Sequence, residues 1–218
     1  LVALLIGGML YSVLMLIEIR LSPQLNLWIY GYFQHFFNQT FRFGGWRPVV
    51  FLYHGLWVSF FCMTAVAAAW ALWRKDEELP KFRTFLMAAY LTVVLVLSKS
   101  MGAVLFAAIL IPLVLFFSRS MQMKVALVVG LLAVAYPVLK GADLVPQDQL
   151  LQRAEEVDPD RAASLKFRFD NENILLERAY LKPIFGWGSW GRNHILDPFT
   201  GIILTVTEGR WIITIEVY

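Results

Sequence analysis

Pro48-Val-Val-Phe-Leu-Tyr-His-Gly-Leu-Trp-Val-Ser-Phe-Phe-Cys-Met-Thr-Ala-Val-Ala-Ala-Ala-Trp-Ala-Leu-Trp73 contains no aspartate, glutamate, lysine or arginine. At about 1.5 Å rise per residue, a helix of that length exceeds a hydrocarbon core of roughly 30 Å. Pro48 stands where a helix start tolerates a missing N–H, so the stretch reads as a membrane span beginning there. Immediately beyond it, Arg74, Lys75, Lys81 and Arg83 crowd a turn around Asp76-Glu-Glu78. The positive-inside bias assigns that turn to the cytoplasm.

Working outward, residues 18 to 47 form a loop on the opposite side. Trp28, Tyr30, Tyr32 and Trp46 suit the headgroup layer there, with a short interfacial helix expected. Leu1 to Ile17 is a further span, left at Glu18 and Arg20; it lacks a basic leader and a small-residue cleavage site, which makes a signal peptide the weaker reading. Thr84 to Ser98 and Gly102 to Phe117 make a span hairpin joined at Ser98-Lys-Ser-Met-Gly102. Val125 to Leu139 returns to the outside after Arg119 and Lys124. The short runs rely on snorkelling by Lys99, Lys124 and Lys140.

The expectation is an all-α, polytopic transmembrane helix bundle over residues 1–139, with about five spans, followed by an outer loop domain over 140–218. Residues 141–160 read as a polar, acid-rich loop. Asp158-Pro159-Asp160 then caps a helix that runs to Leu181 and stops at Lys182-Pro183. On it Arg161, Leu165, Arg168, Glu172, Leu175 and Ala179 recur at three- and four-residue spacing. Beyond it Gly186, Gly188 and Gly191 interleave with Trp187 and Trp190, a loop whose backbone can approach a ligand and whose indoles can pack on lipid or sugar. Residues 202–207 and 211–215 are β-branched enough for strands and apolar enough to re-enter the membrane. The chain opens inside an apolar run without an initiating methionine and stops at Ile215-Glu-Val-Tyr218, so it reads as a fragment lacking spans at both ends.

Composition agrees with a membrane protein. Of 218 residues, 59% are hydrophobic and 16% charged, outside the range of ordinary soluble domains. The net charge of +3 suits anionic lipid or a phosphate-bearing substrate, and equally the basic drift of cytoplasmic loops. The single cysteine, Cys62, lies in an apolar run and reads as a small packed hydrophobe. No metal-ligand cluster, phosphate loop or Asp-x-Asp pair is present, and neither a cofactor nor a nucleic-acid partner is expected.

Ser164-Leu-Lys-Phe-Arg168 with the helix that follows, Pro183-Ile-Phe-Gly-Trp-Gly188, Trp190-Gly-Arg192, Asp197-Pro-Phe-Thr-Gly201 and Thr207-Glu-Gly-Arg-Trp211 resemble the C-terminal signature of the O-antigen ligase and polymerase family. The resemblance covers roughly residues 42 to 218. It implies a GT-C-like membrane glycosyltransferase of the bacterial inner membrane with its active face in the periplasm. Such an enzyme would be metal-independent, taking an undecaprenyl-pyrophosphate glycan donor and a glycan acceptor, either a lipid-linked repeat or lipid A core. It also implies that Arg168 handles the donor, as a bidentate guanidinium can and a lysine cannot. Lys99 stands where members often carry arginine. Glu208 stands where polymerase-like members carry aspartate. His194 follows the glycine-tryptophan loop and, with Glu208, is a candidate for deprotonating the acceptor hydroxyl. The Gly-Trp-Gly-x-Trp-Gly and Glu-Gly-x-Trp elements lean towards polymerase, with ligase the alternative.

Arg47 is argued from its position. A guanidinium at a helix start joins unpaired N–H groups and the helix dipole in attracting an anion. The dipole contributes about 0.3–1 kcal/mol, whereas a charge pair at about 4 Å is worth roughly 4 kcal/mol at an effective dielectric near 20, so the side chain dominates. Each candidate also has a plainer reading. Arg47 is then a headgroup anchor, Lys99 a snorkelling lysine, Arg168 the i,i+4 partner of Glu172, and His194 an inert loop histidine. His54 reads as a buried imidazole two turns into the span, bonded to a neighbouring span, and His35 as interfacial. The rival function is a non-catalytic lipid-glycan flippase or assembly scaffold, although the nearly uncharged spans argue against a transport path.

Overall fold

The computed structural model describes residues 1–34, 37–42, 44–75, 79–157, 159–182, 185–188, 192 and 194–205. Among them the chain is mainly helical: α1 (Val2–Leu21), α2 (Leu25–Tyr30), a 3-10 turn (Phe37–Thr40), a two-residue hairpin of β1 (Phe41–Arg42) and β2 (Gly45–Trp46), then α3 (Gly55–Lys75), α4 (Lys81–Leu97), α5 (Met101–Phe116), α6 (Arg119–Gly141), α7 (Gln147–Val157) and α8 (Pro159–Tyr180). Three helices, α1, α3 and α6, are long and apolar enough to cross a membrane. Of the remaining expected spans, α4 and α5 are shorter, at 17 and 16 residues. The chain divides into two compact units, Leu1–Lys124 and Val125–Tyr218.

In the first unit α3 is the central helix, packed against α1, α4 and α5. Val58, Cys62, Ala65, Val66 and Ala69 recur on its inward face and are buried, the three- and four-residue spacing of one helical stripe. Leu91, Val94 and Leu95 of α4 and Ala103 and Ala107 of α5 complete that core. Large apolar side chains such as Leu4, Leu10 and Val13 of α1 and Trp57 and Phe60 of α3 point outward, as they do when the surrounding medium is hydrocarbon. Small residues then set how closely helices approach. A Cβ added to Gly8 of α1 would lie 2.5 Å from the Ala65 methyl group of α3. Gly8→Val is therefore expected to destabilise the bundle by about 1–3 kcal/mol, measurable as a lowered unfolding midpoint in detergent; an unchanged midpoint would mean that α1 does not pack on α3 this way.

The helix expected from Pro48 begins only at Gly55. Segment 47–54 is held out of helix by α1: the Glu18 carboxylate accepts the Val49 and Val50 N–H groups at 2.8 and 2.7 Å, and the Tyr11 hydroxyl accepts the Phe51 N–H at 3.1 Å. Val50 takes φ of 50°, a region that costs a β-branched residue about 1–2 kcal/mol and persists only where surroundings impose it. Local sequence favoured a continuous helix; the tertiary contact from Glu18 overrides it.

In the second unit α7 packs against α8, so the segment read as a polar loop is in large part a helix. Leu175 and Ala179 of α8 are buried, with Ala162 and Phe169, whereas Arg168 is exposed. Tyr136 of α6 donates to Glu172 Oε2 at 2.7 Å, and buried Lys140 places its ammonium 5.1 Å from the Phe169 ring centroid. The Asp197-Pro-Phe-Thr-Gly201 motif forms a turn: Asp197 Oδ1 accepts the Phe199 and Thr200 N–H groups at 2.8 Å, and Leu196 bridges Ile203 antiparallel. Those N–H groups hold the Asp197 carboxyl below its ordinary pKa. Over its described part, residues 202–205, the segment pairs back on the chain rather than forming a helix.

Candidate functional site

The ends of α1, α3, α4 and α5 that meet around segment 47–54 carry most of the polar atoms buried in the first unit. Arg47 is only 9% exposed. Its Nη2 donates to Ser100 Oγ, at the start of α5, over 3.1 Å, and its buried Nε has no hydrogen-bond partner among the described residues. Among the described residues no carboxylate pairs with it; the nearby charge is Arg42, and burial together with that like charge pulls the guanidinium below its ordinary pKa. An arginine stays protonated even so, which leaves a buried positive charge without a counter-ion among the described residues.

Gly55 explains where the side chain goes. A Cβ there would lie 2.7 Å from Arg47 Cδ and 3.1 Å from Nε, so only glycine lets Arg47 lie across the first residue of α3. The expectation for Arg47 therefore needs correcting in its reason. It does not begin a helix at Pro48, yet its side chain is folded back onto the true start of α3, where the Leu56, Trp57 and Val58 N–H groups are bonded to His54.

Lys99 joins Arg47 at the same place. It occupies the α4–α5 turn with φ of 55°, and its Cε and Nζ lie 3.0 and 3.6 Å from where a Cβ of Gly45 would stand, two residues before Arg47. Ser98, beside it, is buried and shares a hydrogen bond of 3.2 Å with Ser59. Arg42, Arg47 and Lys99 thus give this end of the bundle a positive potential. Between these elements lies a small cleft lined by Gln39, Thr40, Arg47, Val49, His54 and Gly55, with a cavity volume of about 10 Å³.

His54 is not two turns into α3. It immediately precedes Gly55, and its Nδ1 accepts the Leu56 N–H at 3.0 Å, which makes it a cap on its own helix and a wall of the cleft. Sequence reading also missed Glu18. The available signal was its sign, since an acid near a helix C-terminus opposes the dipole and calls for a compensating partner.

The remaining candidates belong to the second unit or lie outside the described residues. Arg168 is on the exposed face of α8. Trp187 donates its indole N–H to the Arg178 carbonyl at 2.9 Å, and Arg178 Cζ and Lys182 Nζ stand 4.0 and 4.1 Å from its ring centroid. The ring expected to meet sugar or lipid is thus engaged by two cations of its own chain, at about 0.5–1 kcal/mol each where exposed. His194 is half-buried, and its buried Nδ1 has no hydrogen-bond partner among the described residues. Trp190, Glu208 and His35 lie outside the described residues. Among the described residues no group of three or more His, Cys, Asp or Glu side chains is placed to hold a metal ion. Comparison of the chain with protein-family models, with curated proteins and with solved structures gives no match.

Proposed function

We propose that this chain is a membrane glycosyltransferase that accepts an undecaprenyl-pyrophosphate glycan and transfers or polymerises the glycan at the periplasmic face of a bacterial inner membrane. The observation that carries this reading is Arg47: a buried guanidinium with an unpaired N–H and no carboxylate partner among the described residues, set in a cleft beside Lys99 and Arg42. Unpaired buried cations are costly, and a diphosphate is the ligand that would offset this one. In the reaction, the acceptor hydroxyl oxygen attacks the anomeric carbon, its proton passes to a base, and the bond to the diphosphate oxygen breaks. Arginines neutralise the departing charge in the role a metal ion plays elsewhere. On the resemblance described above, Arg168 remains the candidate for handling the donor, and His194 or Glu208 the candidate base.

Purified protein supplied with a defined donor tests this directly. Chain growth without lipid A core identifies a polymerase, transfer only when core is added identifies a ligase, and no transfer under either condition defeats the proposal. In cells, Arg168→Lys at equal protein level is expected to shorten the glycan and lower its yield by about tenfold or more, because a lysine cannot reproduce bidentate phosphate binding. Unchanged chain length and yield would leave the arginine as a surface residue.

A further inference from the structure

Helix α5 begins beside Arg47 in a way that its own fold does not explain. Ser100 stands at the N-cap, where a serine side chain ordinarily accepts an N–H of the first turn, yet it makes no such bond. Its Oγ instead accepts an Arg47 Nη2 proton at 3.1 Å, and among the described residues nothing accepts the hydroxyl's own proton. The first backbone N–H bonded at this end is that of Val104, to the Ser100 carbonyl at 3.1 Å. Those of Met101, Gly102 and Ala103 have no acceptor among the described residues and form the positive end of the helix dipole. Gly102 is the second unexplained feature. Glycine inside a helix lowers stability relative to alanine, and here an added Cβ would meet nothing within 4 Å, at a φ outside the left-handed region. Neither packing nor backbone angle calls for glycine; a ligand approaching the backbone closely would. Met101 and Gly102 are exposed, so the turn is open to an incoming group. An uncapped turn alone would be ordinary. What points to a ligand is Arg47 bonded into it, a buried guanidinium whose Nε has no partner and whose charge has no carboxylate among the described residues.

We infer that the first turn of α5 seats a phosphoryl group of the lipid-borne diphosphate: its oxygens accept the Ser100 hydroxyl proton and the Met101 and Gly102 N–H groups, and Arg47 supplies the opposite charge. Uncapped helix starts bind phosphate in this manner. The inference rests on the anion reading of Arg47 given under Proposed function, and adds to it a location, a hydroxyl donor and a reason for glycine at position 102.

Gly102 provides the cleanest test, because side chains added there displace nothing in the protein itself. The full chain in maltoside micelles would be titrated with inorganic pyrophosphate and, separately, with a polyprenyl diphosphate. Wild type is expected to bind both, the lipid-borne form more tightly, and Arg47→Ala neither. Gly102→Val is expected to weaken binding by about tenfold or more by filling the space over the turn, while its unfolding midpoint stays at or above that of wild type. Ser100→Ala, which removes the hydroxyl, is expected to lose about tenfold, and Ser100→Thr, which keeps it, to stay within about threefold. If Gly102→Val binds as tightly as wild type while Arg47→Ala does not bind, the ligand sits elsewhere, Ser100 only anchors Arg47, and the inference fails alone. If wild type binds neither probe, or Arg47→Ala binds like wild type, the anion reading fails and this inference with it. Preference for the free ion over the lipid-borne one overturns the source named here.

Discussion

Arg47→Ala is expected to lower glycan transfer by about 10²–10³-fold, the range seen when a single charge-stabilising donor is removed from a reacting centre. The expectation follows from burial. A guanidinium 9% exposed, bonded to Ser100 and with a buried Nε that has no hydrogen-bond partner among the described residues, gains little from its own protein and most from a ligand. Arg47→Lys separates charge from shape: lysine keeps the charge but cannot both reach Ser100 and present a planar fork, so a loss of about tenfold or more is expected. Removing an unbalanced buried charge relieves a desolvation cost, so Arg47→Ala should not unfold more readily than wild type. An active Arg47→Ala enzyme, measured as donor turnover at equal protein, would remove Arg47 from the reaction; a variant that is inactive and also unfolds early would mark it as structural.

The second large effect belongs to Glu18. Its two oxygens accept three backbone N–H groups, from Leu25, Val49 and Val50, and the residue is 1% exposed. Glu18→Leu leaves three donors without a partner, at about 1–3 kcal/mol each for those that water does not reach, so a loss of about 3–5 kcal/mol is expected. Glu18→Gln keeps one acceptor oxygen and should fall between. The unfolding midpoint in detergent measures both. Because the same carboxylate holds the segment that Arg47 begins, Glu18→Gln should also weaken pyrophosphate binding. A Glu18→Leu protein within 1 kcal/mol of wild type would mean that the loop does not depend on this tie.

The helices were legible where hydrophobic length alone decides them. Val2–Leu21, Lys81–Leu97, Met101–Phe116, Arg119–Gly141 and Pro159–Tyr180 follow apolar runs, charged punctuation and prolines. The start of α3 was not legible, because an uninterrupted apolar run from Pro48 carries no mark of a carboxylate 31 residues upstream that captures its N–H groups. That misreading concealed the main features of the candidate site: the irregular loop, the glycine that admits Arg47, and the histidine that caps the helix. Consecutive helices alternate in direction, which brings the loop before α3 and the α4–α5 turn to one end and sets Lys99 beside Gly45, two residues before Arg47. Arg47 and Arg168 fall in separate compact units, and no spacing rule within one chain relates two such units. Helix α7 escaped notice for another reason: its polar composition resembles a solvated linker, and its packing against α8 is tertiary.

The bond between Glu18 and the Val49–Val50 backbone bears on how this protein is made. As the ribosome delivers α1, the acid near its trailing end has only the Leu25 N–H as partner until the loop before α3 has emerged, so its second oxygen must stay among water and headgroups. The first helix can therefore seat fully only after the next hairpin arrives. Biogenesis of this bundle is then a paired event, in which truncation before residue 50 yields a helix that the insertion machinery can admit but that cannot settle at its final depth.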